Sequence, residues 1–436
     1  MMYVAMKRLA IFFLLGIFSS QLGFADNLSV PIGTLSVPTD SEISIQLVKR
    51  FQYYNAHPEN PDDHYDQSIN SPKSVAVLDS KKKFYVNSLE GCSTSVYSLE
   101  NFTLLKVIMH KFNAQNQYLF AKNSDSNFLF RTKKSRLNYF TGRPVEGCFS
   151  HHGKYLWIPY YRRSYDSNAV DPSALCIIDT DTDALVRVMT IASLPKMIAC
   201  SPDNKTIAVT HWGDNSVTLI DITSGDPEKF TCGDNIVIDY RLSQNYSVNE
   251  KVDRDHNCGN CLRGTVFTPD SKYIFIGKMG GNGIAVLDVV HRKYIGTVTG
   301  MKTNMRHLVI KNSVVYISIN NTGFVQKTAL KGFIDHFSGT SKDEPYTQWE
   351  SAYVGLGART ISIDKTGKYL FAAVNRESKV VVVRTSDMKV IAACDADSYP
   401  VGMDISENGQ WLMVTAQGRG NLGGNSVMVY KVNYKK

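Results

Sequence analysis

The sequence predicts an all-β chain folded as a seven-bladed β-propeller of four-stranded antiparallel blades. Three observations carry that expectation. A strand–turn–strand unit recurs along most of the chain. Aromatic residues make up 11% of it, with 23 Tyr and 20 Phe, a content that favours strands. Short apolar runs end at Gly, Asn and Asp clusters, the punctuation of an all-β fold. By length alone, 436 residues would suggest two or three domains; the repeat argues for one large unit.

The repeat is an apolar strand, a tight turn, a second strand, a Gly/Asn turn and a third strand. Its clearest turns are Ser201-Pro202-Asp203-Asn204-Lys205 and Thr268-Pro269-Asp270-Ser271-Lys272. Asp364-Lys365-Thr366-Gly367-Lys368, Ser406-Glu407-Asn408-Gly409-Gln410 and Ser150-His151-His152-Gly153-Lys154 are variants. Proline presets φ, Asp or Asn bonds its own backbone, and Gly or Asn takes the left-handed position. With degenerate copies near Val77–Phe84 and Ile310–Val314, the residues before the turns are Val77, Phe149, Cys200, Phe267, Ile310, Ile363 and Ile405. The closest of these anchors are spaced like bare propeller blades, roughly 40–50 residues apart. Second strands read Phe84–Asn87, Ile207–His211 and Leu370–Asn375; third strands read Val217–Asp221, Ile284–Asp288 and Val427–Tyr430. Radial repetition protects strand edges, and the stretch after Ala25 is expected to supply a strand that closes the ring with the last blade.

The segment Val209-Thr210-His211-Trp212-Gly213-Asp214-Asn215-Ser216-Val217-Thr218-Leu219-Ile220-Asp221 resembles the YVTN-type repeat of the YncE-like propellers, with shorter echoes at Tyr85-Val86-Asn87 and Val374-Asn375. The resemblance covers about residues 72–434. It implies the fold strongly and the function weakly, because such propellers include binding proteins, surface proteins and lactonase relatives. His211 departs from the Asn usual in the repeat, and the blade near Ile310 lacks the Pro-Asp turn.

Met1–Ala25 reads as a secretory signal: Lys7 and Arg8, an apolar run Leu9–Phe18, and small residues at Gly23 and Ala25. Three parts are therefore expected, the signal 1–25, an N-terminal segment 26–71, and the propeller 72–436, exported to the periplasm or beyond. No later apolar run reaches the length of a membrane span. The net charge of +8 is a mild bias toward anionic partners, far from a nucleic-acid-binding charge run. Eight cysteines are too few for a disulfide scaffold. Cys176 and Cys200 fall in strand patterns as small core residues. Cys258-Gly259-Asn260-Cys261 is the disulfide candidate, expected to close a long loop.

Blade topology places the turns between second and third strands, and the connections between blades, on the face opposite the Ser-Pro-Asp turns. The long insertions 109–142, 159–173, 233–260 and 331–355 are assigned to that face, the first with a hairpin of Tyr118–Phe120 against Phe128–Phe130. One-sided insertions mark a binding face.

Four residues before the anchors stand Lys73, Lys196, Arg263, Arg306 and Arg359, with Val145 (Arg143 close by) and Val401 in the other two blades. Five cations at one opening would focus a positive field there, and Arg suits carboxylate or phosphate. Arg162, Arg163, His211, His307, Arg376 and Arg419 could extend this surface. The expected function is an exported binder of an anionic small molecule or of a partner's acidic segment, non-enzymatic and monomeric, with no cofactor and no metal.

Two alternatives stand beside it. A lactonase-like hydrolase at the channel mouth would need a general base, with His211 or His307 as candidates beside Glu90 or Asp214. Single-stranded nucleic-acid binding would use Trp212, Tyr160 and Tyr161 near Arg162 and Arg163. Other signals read as structural. His57–Asp66 is rich in oxygen and nitrogen ligands but lacks calcium-loop spacing, and is expected to be a solvated loop. Gly418–Gly423 matches a dinucleotide motif with no helix after it. His151-His152 falls in a turn on the opposite face.

Overall fold

The computed structural model describes residues 29–120, 138–244, 247, 249–340, 343–418 and 423–435. The proposed signal segment, Phe128–Phe130 and Arg419 lie outside these residues. Seven antiparallel blades form a closed ring. Their innermost strands are Pro72–Leu78, Cys148–Ser150, Pro195–Cys200, Leu262–Phe267, Met305–Lys311, Ala358–Ile363 and Pro400–Ile405, here blades 1 to 7 in that order.

Each blade is buried on both sides, which explains why its middle strands are continuous apolar runs. In the second strand of blade 6, Tyr369, Phe371 and Ala373 pack toward blade 7. Leu370, Ala372 and Val374, the alternate residues, pack toward blade 5. Period-two alternation thus feeds two interfaces instead of a core and a solvent face. Among the described residues each of the seven blade–blade contacts has its own apolar cluster.

The recurrent turn works by side-chain acceptance. Ser201 Oγ accepts from the Thr206 N–H at 2.9 Å, and Asp203 from the Lys205 N–H at 3.1 Å. Thr268 and Asp270 repeat this in blade 4, and Ser406 and Asn408 in blade 7. The left-handed position falls to Asn204, Ser271, Gly367 and Gly409, with φ of 55°, 60°, 77° and 72°. Blade 5 lacks the Pro-Asp turn because a two-residue hairpin, Asn312 and Ser313 at φ 50° and 60°, joins the paired Lys311 and Val314. Positive φ at both turn residues matches the strand twist.

Blade 7 takes its outermost strand from the N-terminal segment. Ile43–Gln52 pairs antiparallel with Ser426–Tyr434, and Asp63–Tyr65 adds a parallel edge. Asp63 is buried against Arg50. The ligand-rich stretch 57–66 is therefore not wholly a solvated loop: its centre becomes an edge strand carrying one half of a buried ion pair.

Two insertions differ from expectation. Of residues 331–355, the stretch 331–349 links the third strand of blade 5, Phe324–Ala329, to the fourth, Glu350–Tyr353, and so does not expand a connection on the channel-mouth face. The helix Leu330–Ser338 begins beside the inner turn, where the Leu330 N–H donates to Ser313 O at 2.9 Å. Leu330, Phe333 and Phe337 are buried, and Phe333 meets Phe275 edge-on, centroids 5.0 Å apart. Their helical spacing, a signal the loop assignment above does not use, makes the insertion a wedge between blades 4 and 5. In the first insertion, Ala114–Leu119 forms a 3-10 turn capped by Asn113, so Tyr118 and Leu119 are not in a strand. The hairpin there pairs Lys111–Phe112 with Phe140–Thr141 instead.

Candidate functional site

The five cations of the repeat each stand where the ladder between the first and second strand of a blade slips. The register shifts between Pro72 and Ser74, Pro195 and Met197, Leu262 and Thr265, Met305 and His307, and Ala358 and Ile361. Lys73, Lys196, Arg263, Arg306 and Arg359 occupy those slips. A β-bulge leaves a residue out of the ladder and re-aims its side chain. Pro72 and Pro195 open their strands, where the missing N–H costs no ladder bond.

The bulges are tied down by the neighbouring blade. Ser74 Oγ and Asn87 Nδ2 donate to Val145 O at 2.6 and 2.9 Å. Thr360 Oγ1 donates to Val401 O at 2.6 Å, and Ser318 Oγ to Arg359 O. The carbonyls at three of the seven aligned positions, Val145, Val401 and Arg359, are thus held by side chains of the adjacent blade.

The cations are near enough to repel one another. The Lys73 ammonium is pushed well below its ordinary range by burial, then by Arg359 and Arg263, with Glu146 opposing. Burial and then Arg359 and Arg263 push the Arg306 guanidinium down as well. Arg263 is lowered to about 10, chiefly by burial, against the pull of Glu146 and with Arg359 adding repulsion. A guanidinium keeps its proton at any physiological pH, so for arginine these shifts express the cost of burying charge beside like charge. Arg263, Arg359 and Lys196 are buried, and Lys73 and Arg306 half-buried.

Two carboxylates answer them, and both come from outside the repeat position. Glu146, beside Val145, accepts from Arg263 Nη2 at 3.0 Å. Asp255 meets Lys196 at 3.3 Å and Arg162 at 2.8 Å, and Tyr161 donates its hydroxyl to the same carboxylate. The Lys196 ammonium also lies 4.0 Å from both the Tyr161 and Trp212 ring centroids. Among the described residues Lys73, Arg306 and Arg359 form no ion pair, and Arg306 Nε and Arg359 Nε are buried without an acceptor. Arg359 faces the Tyr399 ring at 5.8 Å.

Next to this mouth lies a cavity of about 400 Å³ lined by Glu146, His307, Ser74, Thr360, Ser362 and Asp404, among others. His307 is lowered to about 4 by burial, with Nδ1 accepting from the Ile361 N–H at 3.4 Å. His211 is a correction. It is fully buried within blade 3, bonded to Thr218 Oγ1 at 2.9 Å and lowered to about 3 by burial. It is not among the residues lining the cavity, because it belongs to the second strand and not the first. Its suggested partner Asp214 is held by Ser216, and Glu90 by Arg143 at 3.2 Å. Arg163 is likewise buried, donating to Pro172 O at 2.9 Å. Arg376 donates to Asn321 at 3.3 Å and adds to the repulsion on Arg306.

The aromatic residues near Arg162 do not form an open platform. Tyr160 is buried on His110 at 2.9 Å, and Trp212 donates Nε1 to Leu262 O at 2.6 Å. Cys258 and Cys261 form a disulfide that closes a four-residue turn, a smaller ring than the whole loop. It packs with Leu194 and Trp212. Cys176 is core, whereas Cys200 is only partly buried. His151 stacks on Phe230, centroids 5.7 Å apart. Among the described residues no group of three or more His, Cys, Asp or Glu could hold a metal ion. No helix among them is long and apolar enough to cross a membrane.

No protein-family model matches the chain, and no curated protein does. Solved structures do match in fold. The β-propeller domain of Cps50 (Swd1) from Myceliophteria thermophila superposes with a TM-score of 0.56 at 10% identity, covering 84% of this chain and 98% of that one. Hydrazine synthase from Kuenenia stuttgartiensis gives 0.56 at 12% identity, covering 87% and 100%. At such identities the likeness is one of architecture: this chain is a seven-bladed β-propeller.

Proposed function

We propose that the protein is an exported, YncE-like binding propeller whose channel mouth takes an anionic small molecule or an acidic segment of a partner. One observation carries the binding reading. Arg306 and Arg359 project from adjacent blades with buried Nε groups that have no acceptor, beside Lys73, and no carboxylate among the described residues pairs with any of the three. Burying cations without partners is unfavourable unless a ligand completes them. Export rests on the signal-like Met1–Ala25, and the family reading on the YVTN-type segment at Val209–Asp221.

The hydrolase reading has less support. His307 alone of the two histidines lines the cavity, and an imidazole lowered to about 4 is a weak proton acceptor at pH 7. Nucleic-acid binding loses the stacking surface that Tyr160 and Trp212 would have supplied.

Binding is tested by calorimetry and thermal shift with small inorganic and organic anions at constant ionic strength. An anion should raise the melting temperature of the wild-type protein, and Arg306→Gln with Arg359→Gln should remove that shift. Anion-induced shifts that persist in the double variant would sink the reading. N-terminal sequencing of the protein from an exporting host tests cleavage after Ala25.

A further inference from the structure

The charge balance of the mouth says what kind of anion it would take, an inference that rests on the binding reading above. Lys196 is already answered by Asp255. What remains among the described residues is four cations, Lys73, Arg263, Arg306 and Arg359, against the one carboxylate of Glu146, which Arg263 holds at 3.0 Å. The cations do not sit on a flexible rim. Each emerges from a bulge in an innermost strand, and the carbonyl of Arg359 is fixed by Ser318 of the neighbouring blade. Arg359 is 5% exposed and its Nε is buried without an acceptor, so that group is shut off from bulk water.

We propose that the site is built for a compact, doubly charged oxyanion head, bridged between the guanidinium groups of Arg306 and Arg359 and closed by the Lys73 ammonium. A guanidinium offers parallel N–H donors that match two oxygens of one anion. Two such groups on adjacent strands match a head with at least three oxygens, or two carboxylates a few bonds apart. A singly charged anion would leave the pair of arginines half-compensated. A doubly charged one neutralises both. The third cation then takes a defined part: Lys73 carries its charge at a cost beside Arg359 and Arg263, which Glu146 offsets only in part, and an anion between them relieves that repulsion. The groups facing Lys73 are Arg359, Arg263, Glu146 and Lys196.

The head could belong to a phosphate or sulfate group or to a dicarboxylate, and the test separates them. Binding of sulfate, phosphate, malonate, formate and chloride is measured by calorimetry at pH 7.5 and matched ionic strength, on the full-length mature chain. The proposal expects sulfate, phosphate or malonate to bind at least tenfold more tightly than formate. Preference for sulfate and phosphate assigns a tetrahedral head, and preference for malonate a dicarboxylate. Arg306→Gln or Arg359→Gln should each weaken the preferred anion at least tenfold. Lys73→Met should weaken it less and also remove proton uptake on binding, read as the dependence of the heat on buffer ionisation. Arg384→Gln, on the outer part of blade 6, should change nothing. Each substitution at the mouth removes a repelled cation, so the variants should fold at least as stably as wild type.

Formate binding as tightly as the dianions, with loss in the arginine variants, would overturn the dianion inference and leave the binding reading standing. Anion binding that ignores both arginines, or no binding of any probe, would overturn both.

Discussion

Arg263 of blade 4 reaches past blade 3 to the carboxylate of Glu146, in the approach to blade 2, at 3.0 Å. Both side chains are largely buried, so the pair acts as a strut within the mouth and removes one cation from the unpaired set. Breaking a buried pair by removing one partner strands the other charge. Glu146→Gln is therefore expected to lower the unfolding free energy by about 3 kcal/mol. The double variant with Arg263→Met should recover most of that loss. Urea unfolding of the three proteins checks it; an equal loss in the double variant would mean that packing, not charge, is responsible.

Lys196 gives the molecule a pH dependence of defined sign. Its ammonium is lowered to about 7, by burial first, with Arg263 and Arg162 repelling it and Asp255 pulling the other way. In the unfolded chain the same group titrates near 10.4. Between these values the unfolded state binds more protons, so stability rises with pH. The contribution is up to about 1.4 kcal/mol per pH unit. Lys73, also lowered, has the same sign. Urea midpoints from pH 7 to 9.5 should climb in wild type and climb less in Lys196→Met. Parallel slopes would assign the rise to other groups.

Much of this architecture is legible in the chain because the repeat fixes it locally. Val77, Phe149, Cys200, Phe267, Ile310, Ile363 and Ile405 all fall within or at the end of an innermost strand. Ser201 with Asp203, and Thr268 with Asp270, make turns from chemistry that needs no distant partner. The cations could be found because they share one offset from those turns. Their counter-charges could not. Asp255 arrives on a blade connection whose path depends on packing around Trp212 and the Cys258–Cys261 turn. Glu146 stands one place after the aligned Val145, and a bulge lets neighbouring positions exchange faces, which a fixed offset does not register. His211 misleads for a related reason: in a blade buried on both sides, a polar residue on the second strand can turn into its own blade, here with Nε2 on Thr218.

Asp404 should oppose the lysines at lower pH. It lines the central cavity in blade 7 and is raised to about 7 by burial, although the Val77 and Ile405 N–H groups pull it back. Its folded value lies above the unfolded value of about 3.9. The stability associated with its protonated form is present below that value and lost as pH rises through 7. Asp404→Asn, which carries no charge at any pH, should flatten the wild-type decline between pH 4 and 7. Thermal denaturation across that range decides the matter, and an unchanged slope would remove Asp404 from the account.

Ring closure concentrates on Arg50. The N-terminal strand Ile43–Gln52 pairs along its length with Ser426–Tyr434, and Arg50 adds a buried clasp across that seam. Its Nη1 donates to Asp397 at 3.1 Å and to Val30 O at 2.7 Å, while Nε donates to Asp63 at 3.1 Å. Asp397 also accepts from the Val30 N–H and the Ser426 hydroxyl, so one carboxylate joins Val30 and Arg50 of the N-terminal segment to the start of the last strand. Arg50→Met leaves Asp397 and Asp63 buried without their cation, and should cost about 3–5 kcal/mol. Replacing Asp397 by Asn in the same chain removes one stranded charge while keeping an acceptor for Val30, and should restore part of the loss. If Arg50→Met instead costs less than 1 kcal/mol in urea unfolding, the backbone ladder alone closes the ring.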